Sequence, residues 1–299
     1  MTHALFNWWT NVCECFSGGL MYVSAFPLRF VDARGLAGGD CVSDIATLES
    51  VWESLAQRDA LHAILTDETK AGGKWNVAEF MATGNAEIET VLRHLAELNC
   101  APDWDGAALD FGCGVGRLTQ ALGRHFASCV GIDISESMIR KAQVLNKVAH
   151  CRYVQNSEVR LPFLEATFSF IYSNIVLQHI PPRLAKEYLR EFVRVLAPGG
   201  VLVFGVQDSF AASNLAGKVI LIRHVLRVRS RIKRALGIGR GDMEMYFLPE
   251  KDVRNALGSA KIVDVQLTNT AAKDFNGNLR YLGQAPRSGY IGKQYCVTR

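Results

Sequence analysis

The sequence lacks any apolar run long enough to cross a bilayer, so a transmembrane helix is not predicted. An apolar patch extends from Phe16 to Phe30, but no basic segment precedes it and Glu14 interrupts its front. A secretory signal is therefore not expected. Residues 1–42 show no clear hydrophobic period, and we interpret them as an N-terminal extension of uncertain order.

An excess of charge of one sign is also missing. The 299 residues include 33 Lys and Arg against 29 Asp and Glu, a difference too small to indicate any class of partner by itself. The chain is 49% hydrophobic and 21% charged, a balance typical of a globular protein with a sizeable core.

Zinc-type spacing is absent among the eight cysteines, so no metal site is predicted. The cysteines are scattered, and Cys113, Cys129 and Cys151 fall in or beside segments that we expect to be buried. This usage is typical of reduced, buried thiols, and we predict a cytoplasmic protein.

The most informative pattern lies between residues 107 and 126. An apolar run over residues 107–111 predicts a buried strand, with Asp110 near its end. Three glycines then alternate along the chain: Gly112, Gly114 and Gly116. Apolar residues recur at helical spacing after them. A strand, a glycine turn and a helix predict the entry of a nucleotide-binding crossover, where glycine lets a ligand approach the backbone closely.

The glycine spacing does not fit a dinucleotide fingerprint. That fingerprint requires glycine or alanine at the last position of G-x-G-x-x-G. Counting from Gly112, the last position is Arg117, and counting from Gly114 it is Thr119. The pattern that remains is an acid followed by G-x-G-x-G, which argues against a nicotinamide-dependent oxidoreductase.

This pattern resembles motif I of the class I S-adenosyl-methionine-dependent methyltransferases. The resemblance extends from about Trp52 to Val206 and is specific, because four motifs occur in order. They are FGCGVGRLT, GIDISESMI, YSNIVLQHIPP and RVLAPGG. The resemblance implies S-adenosyl-L-methionine as the cofactor and a Rossmann-like α/β fold. It also implies N-terminal helices over the cofactor, with Phe80, Thr83 and Gly84 near its methionine end.

The cofactor-binding residues implied by the motifs lie at the ends of predicted strands. They are Asp110, Gly112, Cys113, Gly114, Gly116, Asp133, Ile134, Met138, Asn156, Ser157, Ser173 and Asn174. Asp133 follows the glycine loop by about twenty residues, where a carboxylate accepts both ribose hydroxyls in dinucleotide folds. Capping of the helix near Ser135 is a second, compatible role. The family pattern places Met138 against the adenine ring, where a thioether suits a flat aromatic.

Three positions leave alternatives open. Many relatives have an aspartate after the third strand, whereas this chain has Asn156-Ser157, and either side chain is a candidate for the adenine contact. His179 is the candidate general base, or else a structural histidine ahead of Pro181. Arg117 either pairs with the methionine carboxylate of the cofactor or is a solvated helix residue.

The predicted fold is a seven-stranded, mostly parallel sheet with an antiparallel last strand. A helical cap is expected over residues 43–104 and the methyltransferase core over residues 105–299. Within the cap, one helix is expected from Asp44 onward with Ser43 as N-cap, and a second helix capped by Asn85. The last two strands are expected at residues 261–268 and 292–298 as an antiparallel hairpin at the sheet edge.

A basic insertion at about 209–245 interrupts the core. Residues 218–240 carry eight Lys and Arg and no acid, with apolar residues on one helical face. Three interpretations stay open: a solvated lid face, contact with an anionic substrate or membrane surface, and contact with nucleic acid. Nucleic acid is the least favoured, because no accompanying binding module is present.

The function predicted from these patterns is methyl transfer from S-adenosyl-L-methionine to a small-molecule, lipid or glycan acceptor. Two alternatives are kept: a cofactor-binding protein that has lost catalysis, and a nicotinamide-dependent oxidoreductase. The sequence identifies neither the acceptor nor the oligomeric state.

Overall fold

A central sheet of eight strands positions the rest of the molecule. The computed structural model describes residues 29–31, 41–211, 243–272, 275–287 and 289–299. The described strands are β1 (Arg29–Val31), β2 (Ala107–Phe111), β3 (Ser128–Asp133), β4 (Cys151–Gln155), β5 (Phe168–Ser173), β6 (Leu196–Ala211), β7 (Glu244–Tyr246), β8 (Lys261–Thr268), β9 (Tyr281–Leu282) and β10 (Gly289–Thr298). The order in the central sheet is β4-β3-β2-β5-β6-β10-β8-β9, and β1 pairs with β7 in a separate parallel ribbon.

Six α-helices lie within the described ranges. They are α1 (Cys41–Ile64), α2 (Val77–Glu97), α3 (Arg117–Leu122), α4 (Glu136–Leu145), α5 (Pro182–Val195) and α6 (Glu250–Leu257). Among these helices, none combines the length and the hydrophobicity that crossing a bilayer requires.

The strand residues alternate between two cores on opposite faces of the sheet. Leu109 and Phe111 pack into a core with α5 and α6, while Ala108 between them packs into a core with α2 and α3. This alternation is the period of two that a strand imposes on its side chains. All six residues of β5 are buried, which is typical of a parallel strand covered on both faces.

The predicted fold class is confirmed, with one addition at the sheet edge. β2 to β6 are parallel, and β10 runs antiparallel between β6 and β8. The two-residue strand β9 pairs with β8 and brings the sheet from the expected seven strands to eight. The strand order reverses between β2 and β5, and such a switch point is where open α/β sheets bind ligands.

The first cap helix begins earlier than predicted and is broken at Asp59. Helix α1 starts at Cys41 rather than after Ser43, and Asp59 has non-helical angles of φ −160° and ψ 86°. The Asp59 carboxylate accepts hydrogen bonds from the amides of His62, at 3.3 Å, and Gly73, at 2.7 Å. A carboxylate that bonds the amide three residues ahead starts a new helical segment, which the apolar period does not reveal.

The prediction that Asn85 caps the second helix is wrong. Helix α2 begins at Val77, and the side chain of Asn76 accepts hydrogen bonds from the amides of Ala78 and Glu79. Gly84 therefore lies inside the helix and does not end one. A Cβ at Gly84 would stand 2.4 Å from the backbone oxygen of Arg117, so the glycine permits close contact between α2 and α3.

The predicted basic helix over residues 218–240 lies outside the described residues. The strands on either side of this part of the chain are described. β6 continues to Ala211, five residues beyond the expected end at Val206, and β7 pairs in parallel with β1. Three residues of the N-terminal stretch thus pair with a strand that follows the insertion in sequence. The sequence of residues 1–42 shows no hydrophobic period that predicts this pairing.

Candidate functional site

A cavity of about 1060 Å³ opens at the carboxyl ends of the parallel strands and crosses the switch point between β2 and β5. Eight of the predicted cofactor-binding residues line it: Gly112, Cys113, Gly114, Asp133, Ile134, Met138, Asn156 and Asn174. The other four, Asp110, Gly116, Ser157 and Ser173, do not line it. Residues far apart in sequence are therefore brought together because they end neighbouring strands.

Side chains from two other segments pack closely against the glycine loop. Gly112, Gly114 and Gly116 have φ values of +75°, +52° and +82°, a region that favours glycine. A Cβ at Gly114 would stand 2.5 Å from Ile64 of α1, and one at Gly116 would stand 2.6 Å from the Tyr153 hydroxyl. The loop is thus enclosed by the cap helix on one side and by β4 on the other.

Asp133 joins the end of β3 to this loop. Its Oδ2 accepts a hydrogen bond from the Gly114 amide at 2.8 Å, and its Oδ1 accepts one from the Ser135 amide at 2.9 Å. Burial raises the pKa of Asp133, and these backbone hydrogen bonds act against that rise. A carboxylate oxygen can accept more than one hydrogen bond, so Asp133 on the cavity wall can also bind ligand hydroxyls.

Asp110 is a buried carboxylate that bonds helix α3. It is fully buried, and its Oδ2 accepts a hydrogen bond of 2.6 Å from the Thr119 hydroxyl. Burial raises the pKa of Asp110 to about 7, although the bond from Thr119 opposes the change. Its Oδ1 has no partner among the described residues. Asp110 therefore contacts helix α3 and does not line the cavity.

Glu53 of α1 joins the cap to the start of α4. Its carboxylate accepts hydrogen bonds from the Ser135 hydroxyl at 2.7 Å, the Ser137 amide at 3.0 Å and the Ser137 hydroxyl. Burial acts to raise the pKa of Glu53, but the bonds from Ser137, Ser135 and Gln57 outweigh it and lower that pKa to about 2. Glu53 thus caps α4 from another helix, and no sequence motif indicated this role.

Replacing Glu53 by glutamine is expected to lower the free energy of unfolding by about 1–2 kcal/mol at neutral pH, because charged hydrogen bonds are lost. The folded-state pKa lies below the ordinary glutamate value of about 4.3, so ionised Glu53 stabilises the fold above that pH. The difference between wild type and variant should shrink as the pH falls toward 2. Urea unfolding at several pH values measures it. Glu89→Gln, at an exposed position of α2, is the control, and a difference that stays constant with pH would contradict the assignment.

Arg117 belongs to a buried ion pair, so of the two alternatives kept for this residue the solvated helix position is wrong. The Arg117 side chain is 2% exposed and its guanidinium lies 2.8 Å from the carboxylate of Glu87, which is 0% exposed. The same carboxylate accepts hydrogen bonds from Tyr172, at 2.9 Å, and Asn174, at 2.8 Å. Arg117 also donates to Thr83 at 3.3 Å, beside Gly84. This network fixes the start of α3 against α2 and the end of β5.

His179 lies on the cavity wall with both ring nitrogens in contact with protein groups. Nδ1 is 2.8 Å from the Glu244 carbonyl oxygen, and Nε2 is 3.1 Å from the Gln178 amide nitrogen. Since the carbonyl requires a donor, Nδ1 carries the proton and Nε2 accepts. Burial lowers the pKa of His179 to about 4, although the bond to Glu244 opposes this. The imidazole is therefore uncharged at neutral pH.

The part of the cavity where the sequence predicted the adenine contacts combines an apolar and a polar residue. Met138 is 1% exposed and its amide donates to the Ser135 hydroxyl, which caps α4. Of the two candidates after β4, Asn156 lines the cavity and Ser157 does not. The Asn156 amide group donates to the Glu158 carbonyl at 2.7 Å, and this bond leaves its carbonyl oxygen as an acceptor.

Comparison with known proteins identifies the domain that carries this site. Residues 109–204 match the family described as a methyltransferase domain. This part of the chain is a methyltransferase domain. The matched range includes the glycine loop, Asp133, Asn156, Asn174 and His179, and it therefore contains most of the cavity wall on the cofactor side.

Relatives of this methyltransferase domain share part of the chain. An uncharacterised methyltransferase of Synechocystis sp. is 31% identical over 134 residues, which are 45% of this chain and 61% of that protein. A methyltransferase structure from Leishmania major covers 87% of each chain with a TM-score of 0.56 and 14% identity. Magnesium protoporphyrin IX methyltransferase from Synechocystis covers 86% of this chain and 100% of its own, with a TM-score of 0.52 and 18% identity. At these identities the two structures show a shared fold.

Several wall residues were missed because no motif marks them. Leu48, Trp52, Ile64 and Leu65 come from the cap, and Met243, Met245 and Phe247 come from the segment around β7. The apolar period of α1 indicated a buried face but not what that face covers. These side chains line the same cavity as the glycine loop only because α1 and the segment around β7 pack over the sheet.

Proposed function

We propose that this protein binds S-adenosyl-L-methionine and transfers its methyl group to an acceptor held in the same cavity. The observation that carries the proposal is the hydrogen bond from the Gly114 amide to the Asp133 carboxylate. Both residues line the cavity and lie within the methyltransferase domain. This hydrogen bond places a carboxylate and an enclosed glycine loop at the switch point of the sheet, where this fold class binds nucleotides.

The residues present fit the proposed cofactor. Asp133 would accept the ribose hydroxyls, as a carboxylate does at this strand end in nucleotide-binding folds. Met138 and Ile134 would pack against the adenine ring. The carbonyl oxygen of Asn156 would accept a hydrogen bond from the adenine amino group. Gly112 would let the backbone approach the methionine end of the cofactor. Each group contributes a contact of a kind that the ligand offers.

In the proposed mechanism the protein supplies position and environment. The bound sulfonium cofactor supplies an activated methyl group for an in-line displacement. The pair of Arg117 and Glu87 holds the loop and the end of β5 in one geometry, and orientation of this kind removes much of the barrier to such a step. His179 is the proposed catalytic residue, since its uncharged Nε2 can accept a proton or a hydrogen bond after the Gln178 amide turns away.

Calorimetric titration with S-adenosyl-homocysteine, alongside NAD, tests the cofactor. We expect micromolar binding of the former and none of the latter. Binding of NAD alone would support the oxidoreductase alternative and overturn the proposal. Transfer of a tritiated methyl group to an acceptor separates an enzyme from a silent binding protein. In that assay, turnover by His179→Ala equal to that of the wild type would show that His179 has a structural role only.

A further inference from the structure

We propose that the acceptor is a lipophilic molecule, bound in the part of the cavity beyond the switch point. This inference rests on the proposed function, because it assigns the cofactor to the part over β2, β3 and β4. The remaining part lies over β5, β6, β10 and β8. At about 1060 Å³ the cavity lies at the upper end of the roughly 300–1,000 Å³ range of ligand pockets, and its wall continues beyond the part assigned to the cofactor.

Large apolar side chains build the acceptor part of the wall. We name as the acceptor chamber the region bounded by Phe210, Met245, Phe247 and Tyr290. Met245 is 8% exposed. The ring of Tyr290 lies 4.9 Å from that of Phe210 and 5.6 Å from that of Phe247. A thioether and aromatic rings in this arrangement offer an adaptable apolar surface.

Few acidic and basic residues line the cavity. Among the described residues of its wall, the Asp, Glu, Lys and Arg side chains are Glu68, Arg117, Asp133 and Arg280. Arg117 is paired with Glu87 and Asp133 is on the cofactor side, while Glu68 and Arg280 are exposed. The side chains that bound the acceptor chamber carry no charge, so a charged metabolite would lose its hydration there without gaining an opposite charge, and this loss disfavours such acceptors.

A small polar group marks the end of the chamber where the methyl group would arrive. Gln178 and His179 follow β5, next to the switch point, and both line the cavity. The Gln178 oxygen accepts a bond of 2.7 Å from Gln207, and its nitrogen is bonded to His179, so one amide hydrogen is left for a ligand. The arrangement suits a molecule with an apolar body and one polar reacting end.

The test uses the full chain saturated with S-adenosyl-homocysteine and the neutral naphthalene probe prodan, whose fluorescence rises in apolar surroundings. We expect saturable binding at a single site, displaced by 1-dodecanol but not by glucose. Phe210→Ser and Phe247→Ser should each weaken prodan binding by about tenfold, because an aromatic contact surface is lost. Phe210 is 40% exposed, so its replacement leaves the core intact.

Two controls keep the inference separate from the proposed function. Leu164→Ser, at a position that is 83% exposed and outside the cavity wall, should leave prodan binding unchanged. Binding of S-adenosyl-homocysteine by both phenylalanine variants reports an intact fold. If S-adenosyl-homocysteine binds and prodan does not, or if glucose displaces prodan, the lipophilic acceptor is overturned and the cofactor assignment stands. Failure of S-adenosyl-homocysteine to bind overturns both.

Discussion

Replacing Asp133 by alanine is expected to weaken binding of S-adenosyl-homocysteine by a factor of at least about ten, because a charged, two-point hydrogen bond to the ribose is lost. The same change removes the acceptor of the Gly114 and Ser135 amides. Ligand contact and loop geometry are therefore lost together. Calorimetric titration of wild type and variant measures the effect.

Asp133→Asn separates these two contributions. Asparagine keeps one carbonyl oxygen as an acceptor and loses the charge, so its affinity should fall between those of wild type and Asp133→Ala. Urea unfolding of each variant reports how much of the change arises from the fold. Affinity that is unchanged in Asp133→Ala would remove this residue from the site, whatever its effect on stability.

The second large effect is expected at the buried ion pair. Glu87→Leu leaves the charge of Arg117 buried without its carboxylate, and removal of one partner of such a pair costs about 3–5 kcal/mol. Tyr172 and Asn174 lose their acceptor at the same time. Urea unfolding at neutral pH measures the loss in the free energy of unfolding.

An exposed pair and a double variant provide the matched controls. Arg140 and Glu136 are 59% and 65% exposed, and Glu136→Leu should change the stability by no more than about 1 kcal/mol. Combining Arg117→Met with Glu87→Leu removes the unpaired charge, so the double variant should recover much of the lost stability. If Glu87→Leu costs no more than the exposed control, the buried pair does not hold the fold as described.

Helix boundaries show where local patterns were insufficient. The apolar period of α2 continues through Gly84, but a glycine followed by Asn85 is typical of a turn and a new cap. The contact with the Arg117 backbone explains why glycine is retained inside the helix. In α1, the break at Asp59 depends on the Gly73 amide, fourteen residues away in sequence. Both errors concern residues whose conformation is decided by a partner outside their own helix.

Residues at strand ends were predictable, and residues on the cap were not. Asp133 and Asn156 were predicted to lie near each other because each follows a parallel strand, and parallel strands end at a common edge of the sheet. Both residues line the cavity. Glu53 and Glu87 carry no such signal, since a glutamate in a helix is ordinarily solvated. Their roles arise when α1 and α2 pack on the loop and bring carboxylates to unpaired donors.

The sequence by itself determined the fold class, the strand edge at which the cavity lies and a glycine spacing that does not fit a dinucleotide fingerprint. These follow from apolar periods, glycine spacing and motif order, which are properties of neighbouring residues. Only the tertiary structure decided that Arg117 is buried with Glu87 and that the acceptor chamber combines Phe210 with Tyr290. Those contacts join segments from distant parts of the chain, and burial and charge pairing exist only after the helices have packed on the sheet.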